Sequence, residues 1–410
     1  MSRVVVIGAG AAGTMAAIFA AGAGAETILL ERTKDGGRKI LISGGGRCNI
    51  LPARLDETRF VTDSSANTLR KIVRSWPLAE QIEFFEKEVG IALVEESESV
   101  KLFPASHKAR DVRDGLLAMA RARGADVRMD TLVSDVFASG AKWIVKISGA
   151  ESIEADAVVI ACGGLSVPMT GSEGAGLRIA EKLGHTMHTT YAALTPIVAS
   201  PAPFASLSGV SLPVTLTATA RGRSAAATGG FLFTHIGYSG PSVLDVSHVV
   251  VRSRAENDEP PARLTVRWTP HGDAEWLERL KPHGTRTVMV ALRGEMPDRL
   301  AAALLVSANV PADRPLSELQ RDERLRLVET LVRGALPWTG DEGYKKAEVT
   351  GGGVSLAEID PRSMESRRCA GLYFCGEVLD AFGPIGGYNF LWAWATGRAA
   401  GLGAARPKPV

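Results

Sequence analysis

The chain opens on an apolar run, Val4-Val5-Val6-Ile7, followed by a Gly-rich turn, Gly8-Ala9-Gly10-Ala11-Ala12-Gly13. A small-residue segment of helical character comes next, and then a second apolar run, Thr27-Ile28-Leu29-Leu30, that stops at Glu31. Short continuous apolar runs bounded by turn residues read as buried strands, so the order is strand, tight turn, helix, strand. Farther along, Leu78, Ile82, Phe85 and Val89 share one helical face and Gly90 follows as a stop. Val112, Leu116 and Met119 repeat that pattern before Gly124, and residues 64–124 read as mainly helical. Strands are expected over 127–129, 132–137, 143–147 and 156–161, the last ending in Cys162-Gly163-Gly164, and 171–183 reads as a turn feeding a short helix.

Near residue 191 the texture changes. Val210, Leu212, Val214, Leu216 and Ala218 alternate with Ser211, Pro213, Thr215, Thr217 and Thr219, the period of a half-buried antiparallel strand. Further strands are expected over 231–234 and 264–268. Between about 273 and 334 the chain turns helical and charged, with 298–306 and 317–333 the clearest segments. Residues 191–345 therefore read as an inserted substrate or cap region, β over about 191–270 and helical over about 271–335. The last segment returns to the opening pattern: Gly371-Leu372-Tyr373-Phe374-Cys375-Gly376-Glu377 is a strand ending in small residues, followed by Gly386-Gly387-Tyr388-Asn389 and a helix over 391–400. A nucleotide-binding domain occupying 1–190 thus resumes at 346–410.

Composition narrows the functional classes. The 410 residues suffice for two or three domains. With 47 basic and 45 acidic residues the net charge is +2, which gives no strong footprint for nucleic acid or an anionic membrane, although a local basic patch stays open. The four cysteines, Cys48, Cys162, Cys369 and Cys375, form no CxxC pair and no His/Cys cluster, so neither a disulfide nor a metal site is expected. Residues 4–25 superficially resemble a signal peptide. Three glycines in the apolar run, a single preceding Arg3 and continuation into a strand ending on Glu31 argue against it. No other apolar stretch approaches membrane-spanning length, and the expectation is a soluble, cytoplasmic protein.

The Gly-rich turn supplies the first chemistry. Gly8 permits the turn, Gly10 lets the backbone approach a pyrophosphate, Gly13 lets helix and strand pack closely, and the helix N-terminus offers N–H donors and partial positive charge. Glu31 is placed to accept hydrogen bonds from a ribose diol. The second Gly-rich loop, Ser43-Gly44-Gly45-Gly46-Arg47-Cys48-Asn49, turns this reading from nicotinamide toward flavin. Gly171-Ser172-Glu173-Gly174-Ala175-Gly176 has the wrong glycine order for a second dinucleotide fingerprint, so no separate nicotinamide domain is visible.

Taken in order, several motifs resemble one bacterial family. They are Gly8 to Gly13, the block from Gly37-Arg38-Lys39 to Asn49, Phe103-Pro104 with Ser106 and Lys108, Thr170-Gly171-Ser172, and Phe233-Thr234-His235 with Gly237 and Ser239-Gly240-Pro241. Val349-Thr350 with Gly352-Gly353-Val354, Ile359-Asp360-Pro361 with Met364-Glu365-Ser366, and residues 371–394 complete the set. This resembles the HI0933-like, or BaiN-type, NAD(P)/FAD-dependent oxidoreductases over nearly the whole chain. The resemblance implies an α/β fold of the glutathione-reductase type: a discontinuous Rossmann-like FAD domain interrupted by a β-barrel-like region and a helical region. It also implies an FAD site. Gly8, Gly10, Ala11, Ala12 and Gly13 would hold the pyrophosphate, Glu31 with Arg32 the adenosine end, and the main chain at Val133 the adenine. The loop carrying Arg38, Lys39, Ser43, Gly44, Gly45, Arg47, Cys48 and Asn49 would wrap the ribityl chain and ring edge, with Arg38 or Arg47 offsetting phosphate charge. Ala161, Cys162 and Gly163 approach from the sheet, and Gly376, Glu377, Gly386, Gly387, Tyr388 and Asn389 close the site. The chain departs from the family at Phe382-Gly383-Pro384-Ile385 and at Phe390, where a more polar loop and a Gln are expected and where a substrate could sit over the ring.

Catalytic residues are less defined, because flavin carries hydride at its own N5. His235, beside a helix start at Ser239-Gly240-Pro241, is a candidate proton donor or substrate anchor, with packing at a domain junction as the alternative. Lys108 and Tyr388 are further candidates, surface solvation being the plainer role for Lys108. Cys48 has no dithiol partner and reads as a structural loop cysteine. The expected function is an FAD-dependent oxidoreductase for a small organic substrate, with NAD(P)H as a candidate transient electron donor. A tRNA-modifying flavoprotein and a non-catalytic flavin sensor are the alternatives, and oligomeric state is left open.

Overall fold

The computed structural model describes residues 2–97 and 100–406. The chain divides into two compact units, Met1–Tyr191 with Val349–Val410, and Ala192–Glu348.

The first unit is built on five parallel strands, in spatial order Leu372–Phe374, Ala157–Ile160, Arg3–Ile7, Glu26–Leu30 and Asp126–Arg128. These strands are apolar runs without alternation because both faces of the sheet are covered; Val4, Val5, Val6, Leu29, Val158, Val159 and Ile160 are fully buried. The turns at Gly8, Glu31, Cys162 and Cys375 all follow carboxyl ends of these strands, the edge at which doubly wound sheets bind ligands. The helix Ala11–Gly22 lies against the C-terminal helix Tyr388–Ala405. A Cβ added at Gly397 would stand 2.3 Å from the Ala12 carbonyl oxygen, and one at Gly401 would stand 2.3 Å from that of Ala16. Residues four apart share a helix face, so two glycines opposite two alanines bring the helix backbones together.

Two local features differ from the periodicity reading. Residues 64–124 contain the helices Ala66–Val73, Leu78–Glu83 and Ala109–Ala122, but a hairpin of Leu93–Glu96 with Lys101–Pro104 interrupts them. Every residue of Leu93–Glu96 is exposed or half-buried, so no alternation of burial marks it as a strand. The stripe through Phe85 and Val89 belongs to a π-helical turn, Phe84–Val89. A regular helix points adjacent residues about 100° apart, whereas the wider turn lets both Phe84 and Phe85 enter the core; Phe84 lies 5.2 Å from the Trp76 ring and Phe85 lies 5.3 Å from the Trp394 ring.

The second unit carries a seven-stranded sheet. Its order is Gly334–Ala335, Arg263–Arg267, Ser211–Ala220, Arg223–Phe233, Gly237–Ser239, Ile197–Val198 and Gly340–Asp341. The end strands do not pair among the described residues, yet chain positions 335 and 340 sit at opposite ends of the order. Leu336 N–H donates to Leu264 (2.9 Å) and Thr339 N–H to Val198 (2.8 Å), so a short connection bridges the curled sheet. The β part also contains a fifteen-residue helix, Pro241–Ala255, whose buried valines made it hard to tell from a strand. The helices Asp273–Arg279, Val288–Leu292, Asp298–Ser307 and Arg321–Arg333 follow. Among the described residues no helix is long and apolar enough to cross a membrane.

Candidate functional site

The opening fingerprint folds as a cradle with one open wall. A Cβ at Gly13 would lie 1.8 Å from the Gly8 carbonyl oxygen, and one at Gly8 would lie 2.5 Å from that of Ala161, so both positions are closed by backbone. A Cβ at Gly10 would meet nothing within 4 Å. Gly10 caps the helix Ala11–Gly22, so the open space lies where its unpaired N–H groups and partial positive charge act. That is room and charge of the right kind for a pyrophosphate. Glu31 is buried and held: its carboxylate accepts from Ala9 N–H, Thr33 N–H and the Thr33 hydroxyl, each at 2.8 Å. Val133 begins a strand, Val133–Ser139, and is buried; two residues earlier, Thr131 N–H donates to the Glu31 carbonyl (2.8 Å).

The second Gly-rich loop begins with the short helix Arg38–Ile42 and passes through Gly44 and Gly45 in the left-handed region. Cys48 shares that conformation at φ 59°, is fully buried, and has its thiol pushed up to about 12 by burial. Burial, with the Glu31 charge adding to it, pushes the Cys162 thiol up to about 12 as well. Neither is a ready thiolate.

One carboxylate joins the separate loops. Glu377 forms an ion pair with Lys39 and accepts from the Ser166 hydroxyl and from Thr350 N–H (3.0 Å). Lys39 also donates to the Ser166 hydroxyl at 2.5 Å, while the Thr350 hydroxyl accepts from Leu165 N–H (2.7 Å) and Ser166 N–H (3.1 Å). The loop after Ile42, the turn after the Ala157–Ile160 strand, the strand Val349–Val354 and the turn after Leu372–Phe374 thus meet around Glu377. The start of the C-terminal helix joins the same wall. In the orientation that satisfies both ends of its amide, Asn49 accepts from Gly387 N–H (3.0 Å) and donates to the Leu51 carbonyl (3.1 Å). Trp394 donates to the Ile50 carbonyl at 3.0 Å. Only glycine fits at 387, where φ is 89° and a Cβ would lie 2.4 Å from the Leu51 carbonyl carbon.

The expected residues therefore fall into groups. Gly8, Gly10, Ala11, Ala12, Gly13, Glu31, Ala161, Cys162 and Gly163 line the carboxyl edge of the sheet, and Lys39, Gly376 and Glu377 meet at the hub. Ser43, Gly44, Gly45, Cys48, Asn49, Gly386, Gly387 and Tyr388 lie along the joined loops. The arginines are engaged in ion pairs: Arg32 with Glu173 (2.7 Å), Arg38 with Asp35 (2.7 Å), and Arg47 with Glu96 (2.8 Å) while stacking over Phe103. Asn389 has its amide spent on Gly383, accepting from its N–H and donating to its carbonyl, both at 2.9 Å. The N–H of Gly387, expected to be open at the helix start, is taken by Asn49. Of the catalytic candidates, Tyr388 is buried with its hydroxyl accepting from Asp56 N–H (3.2 Å). Lys108 is exposed at the start of Ala109–Ala122, and His235 is exposed in a turn of the second unit. Sequence reasoning missed Ser166 as a site residue and placed Thr350 only among the family motifs. Among the described residues no group of His, Cys, Asp and Glu is arranged to hold a metal.

The family model described as HI0933-like protein Rossmann domain matches residues 2–403. The chain is 31% identical over 414 residues to a 3-dehydro-bile acid delta(4,6)-reductase of Clostridium scindens, covering 99% of each chain. It is also 31% identical over 399 residues to a ribosomal RNA dihydrouridine synthase of Escherichia coli, covering 96% of this chain and 95% of that one. A relative of the same description from Haemophilus influenzae is 30% identical over 419 residues, covering 99% of each. Among solved structures, the open conformation of a flavocytochrome c3 fumarate reductase aligns with a TM-score of 0.50 at 18% identity, covering 98% of this chain and 78% of that one, a likeness of fold.

Proposed function

The chain belongs to the HI0933-like family of FAD-dependent oxidoreductases, and from that premise we propose that it reduces a carbon–carbon double bond conjugated to a carbonyl group. The names of its relatives share this chemistry. Removing 4,6-unsaturation from a 3-dehydro bile acid and converting uridine to dihydrouridine both add a hydride and a proton across such a bond. The observation that carries the reading is the Glu377 hub, which unites four loops from both ends of the chain beside a cradle left open at Gly10.

Bound FAD supplies the hydride chemistry, carried at N5. The chain's own residues bind, orient and hold charge. The open helix start at Gly10 takes the pyrophosphate and Glu31 the adenosine ribose, with main chain at Val133 toward the adenine. Lys39, fixed by Glu377 and Ser166, sets a positive charge along the loop that faces the ribityl chain and ring. The dipole at the start of Tyr388–Ala405 is directed at the ring edge that becomes negative on reduction, an effect on the order of 1 kcal/mol. The hydride lost to the β-carbon of the substrate is replaced from NAD(P)H, and the α-carbon takes a proton, for which Tyr388, His235 and Lys108 are the candidates.

The test is anaerobic. FAD-loaded protein is reduced with NADH or NADPH and mixed with a 3-oxo-4-ene steroid, with an acyclic enone and with ribosomal RNA. The expected result is reoxidation of the flavin by an unsaturated carbonyl and none by its saturated analogue, with one hydrogen of the product from the nicotinamide and one from solvent. Flavin that stays reduced with every one of these acceptors would sink the reading. Two relatives named as ribosomal RNA dihydrouridine synthases favour uridine in RNA as a second reading, and dihydrouridine in the digested RNA would select it.

A further inference from the structure

Asp380 is a carboxylate of the first unit that the reduction does not use, and it is 2% exposed. Four donors converge on its Oδ2: the Thr62 hydroxyl (2.9 Å), Asp63 N–H (3.0 Å), Ser64 N–H (2.8 Å) and the Ser64 hydroxyl (2.8 Å). His188 Nε2 stands 3.6 Å from the same oxygen and within 3.2 Å of the Ser64 hydroxyl and 3.3 Å of the Ser355 hydroxyl. The Ser64 oxygen in turn accepts from Leu356 N–H at 3.0 Å. One buried oxygen therefore ties together the approach to the helix Ala66–Val73, the strand Met187–Ala193 and the turn at 355, three pieces distant in sequence.

Asp380 also stands directly before the loop Ala381-Phe382-Gly383-Pro384-Ile385, where the chain departs from its family. That loop is held at two further points. Phe382 exchanges main-chain hydrogen bonds with Val61 (2.8 and 3.1 Å), and Asn389 clamps both main-chain groups of Gly383. Since Val61 and Thr62 are adjacent, the Asp380 cluster fixes the strand segment on which Phe382 rests.

We propose that Asp380 is a positioning residue which, acting through Thr62, Ser64 and His188, fixes the 381–385 loop against the substrate and so sets substrate affinity rather than the rate of the chemical step. This rests on the reading that an unsaturated carbonyl lies beside that loop. Burial pushes the Asp380 carboxyl above the usual carboxylate range, with the Ser64 and Thr62 hydrogen bonds and the His188 charge opposing it and the like charge of Asp63 adding to it. Protonation would set a donor against converging donors, so the cluster loosens as pH falls. The titratable groups facing it are Asp63 and His188; Thr62, Ser64 and Ser355 carry no charge.

The FAD-loaded enzyme is compared with Asp380→Asn. In the variant KM for the unsaturated carbonyl rises about tenfold while kcat changes less than about threefold, the signature of lost uniform binding. Wild-type KM rises as the pH is lowered, and the variant's does not, because the carboxylate is already gone. Amide exchange over 381–390 is faster in the variant, and exchange in the helix Ala11–Gly22 is unchanged. Ser64→Ala, which removes one donor, shifts KM and exchange in the same direction by less, and it carries the test if Asp380→Asn does not fold. An unchanged KM, a pH profile parallel to wild type, or unaltered exchange over 381–390 overturns the proposal. If no unsaturated carbonyl reoxidises the wild-type flavin, the reduction reading has failed, and the exchange measurement alone decides the role of Asp380.

Discussion

Gly10 and Gly13 sit three positions apart in one turn and are glycine for opposite reasons. At Gly13 a side chain would drive into the Gly8 carbonyl, so the residue serves the fold; at Gly10 a side chain would enter open space, so the residue serves whatever occupies that space. Gly10 has φ −79° and ψ −170°, which alanine adopts without strain. Gly10→Ala is therefore expected to leave apo stability unchanged or raised by up to about 1 kcal/mol, since alanine restricts the unfolded chain. It should weaken FAD binding by about 1.5–3 kcal/mol, the worth of a hydrogen bond to a charged group. Denaturant titration of apoprotein and equilibrium flavin fluorescence separate the two, and full FAD affinity in Gly10→Ala would place the pyrophosphate elsewhere. The fingerprint and both glycine loops were legible because their chemistry is local. Ser166 was not, since the contacts that make it a site residue span 127 positions to Lys39 and 211 to Glu377.

Among elements, legibility tracked uniformity of burial. The strands of the central sheet stand out because both faces are covered, and Ser211–Ala220 because only one is. Leu93–Glu96 has neither property, and Phe84–Val89 bends the helical period itself. The pairing of Ala11–Gly22 with Tyr388–Ala405 is the element contact that joins the two ends of the chain, and it depends on the absence of side chains at Gly397 and Gly401. Gly401→Leu is expected to destabilise by about 1–3 kcal/mol through overpacking against the Ala16 backbone, with no φ strain involved. Denaturant midpoints at constant m-value check this, and a cost below about 0.5 kcal/mol would mean the helices can part without consequence.

At the scale of the molecule the change of texture near residue 191 marked an inserted region, because a half-buried antiparallel sheet carries a different hydrophobic period from a doubly wound one. What it could not convey is that the sheet curls until one short connection bridges its ends. Each unit has its own core: the first gathers around Val4, Ile160, Trp392 and Trp394, the second around Phe231, Phe233, Trp268 and Trp276. Every residue assigned to the FAD cradle lies in the first. A ligand stabilises only the cooperative unit that binds it, by about 2.7 kcal/mol at a hundred times its Kd, which for a unit of this size raises the midpoint by roughly 5–10 °C. Calorimetry of apoprotein and of protein in excess FAD is expected to resolve two transitions, of which FAD raises one. If both rise together the units unfold as one cooperative body. If neither rises, the cradle at Gly10 and the Glu377 hub are not where FAD binds.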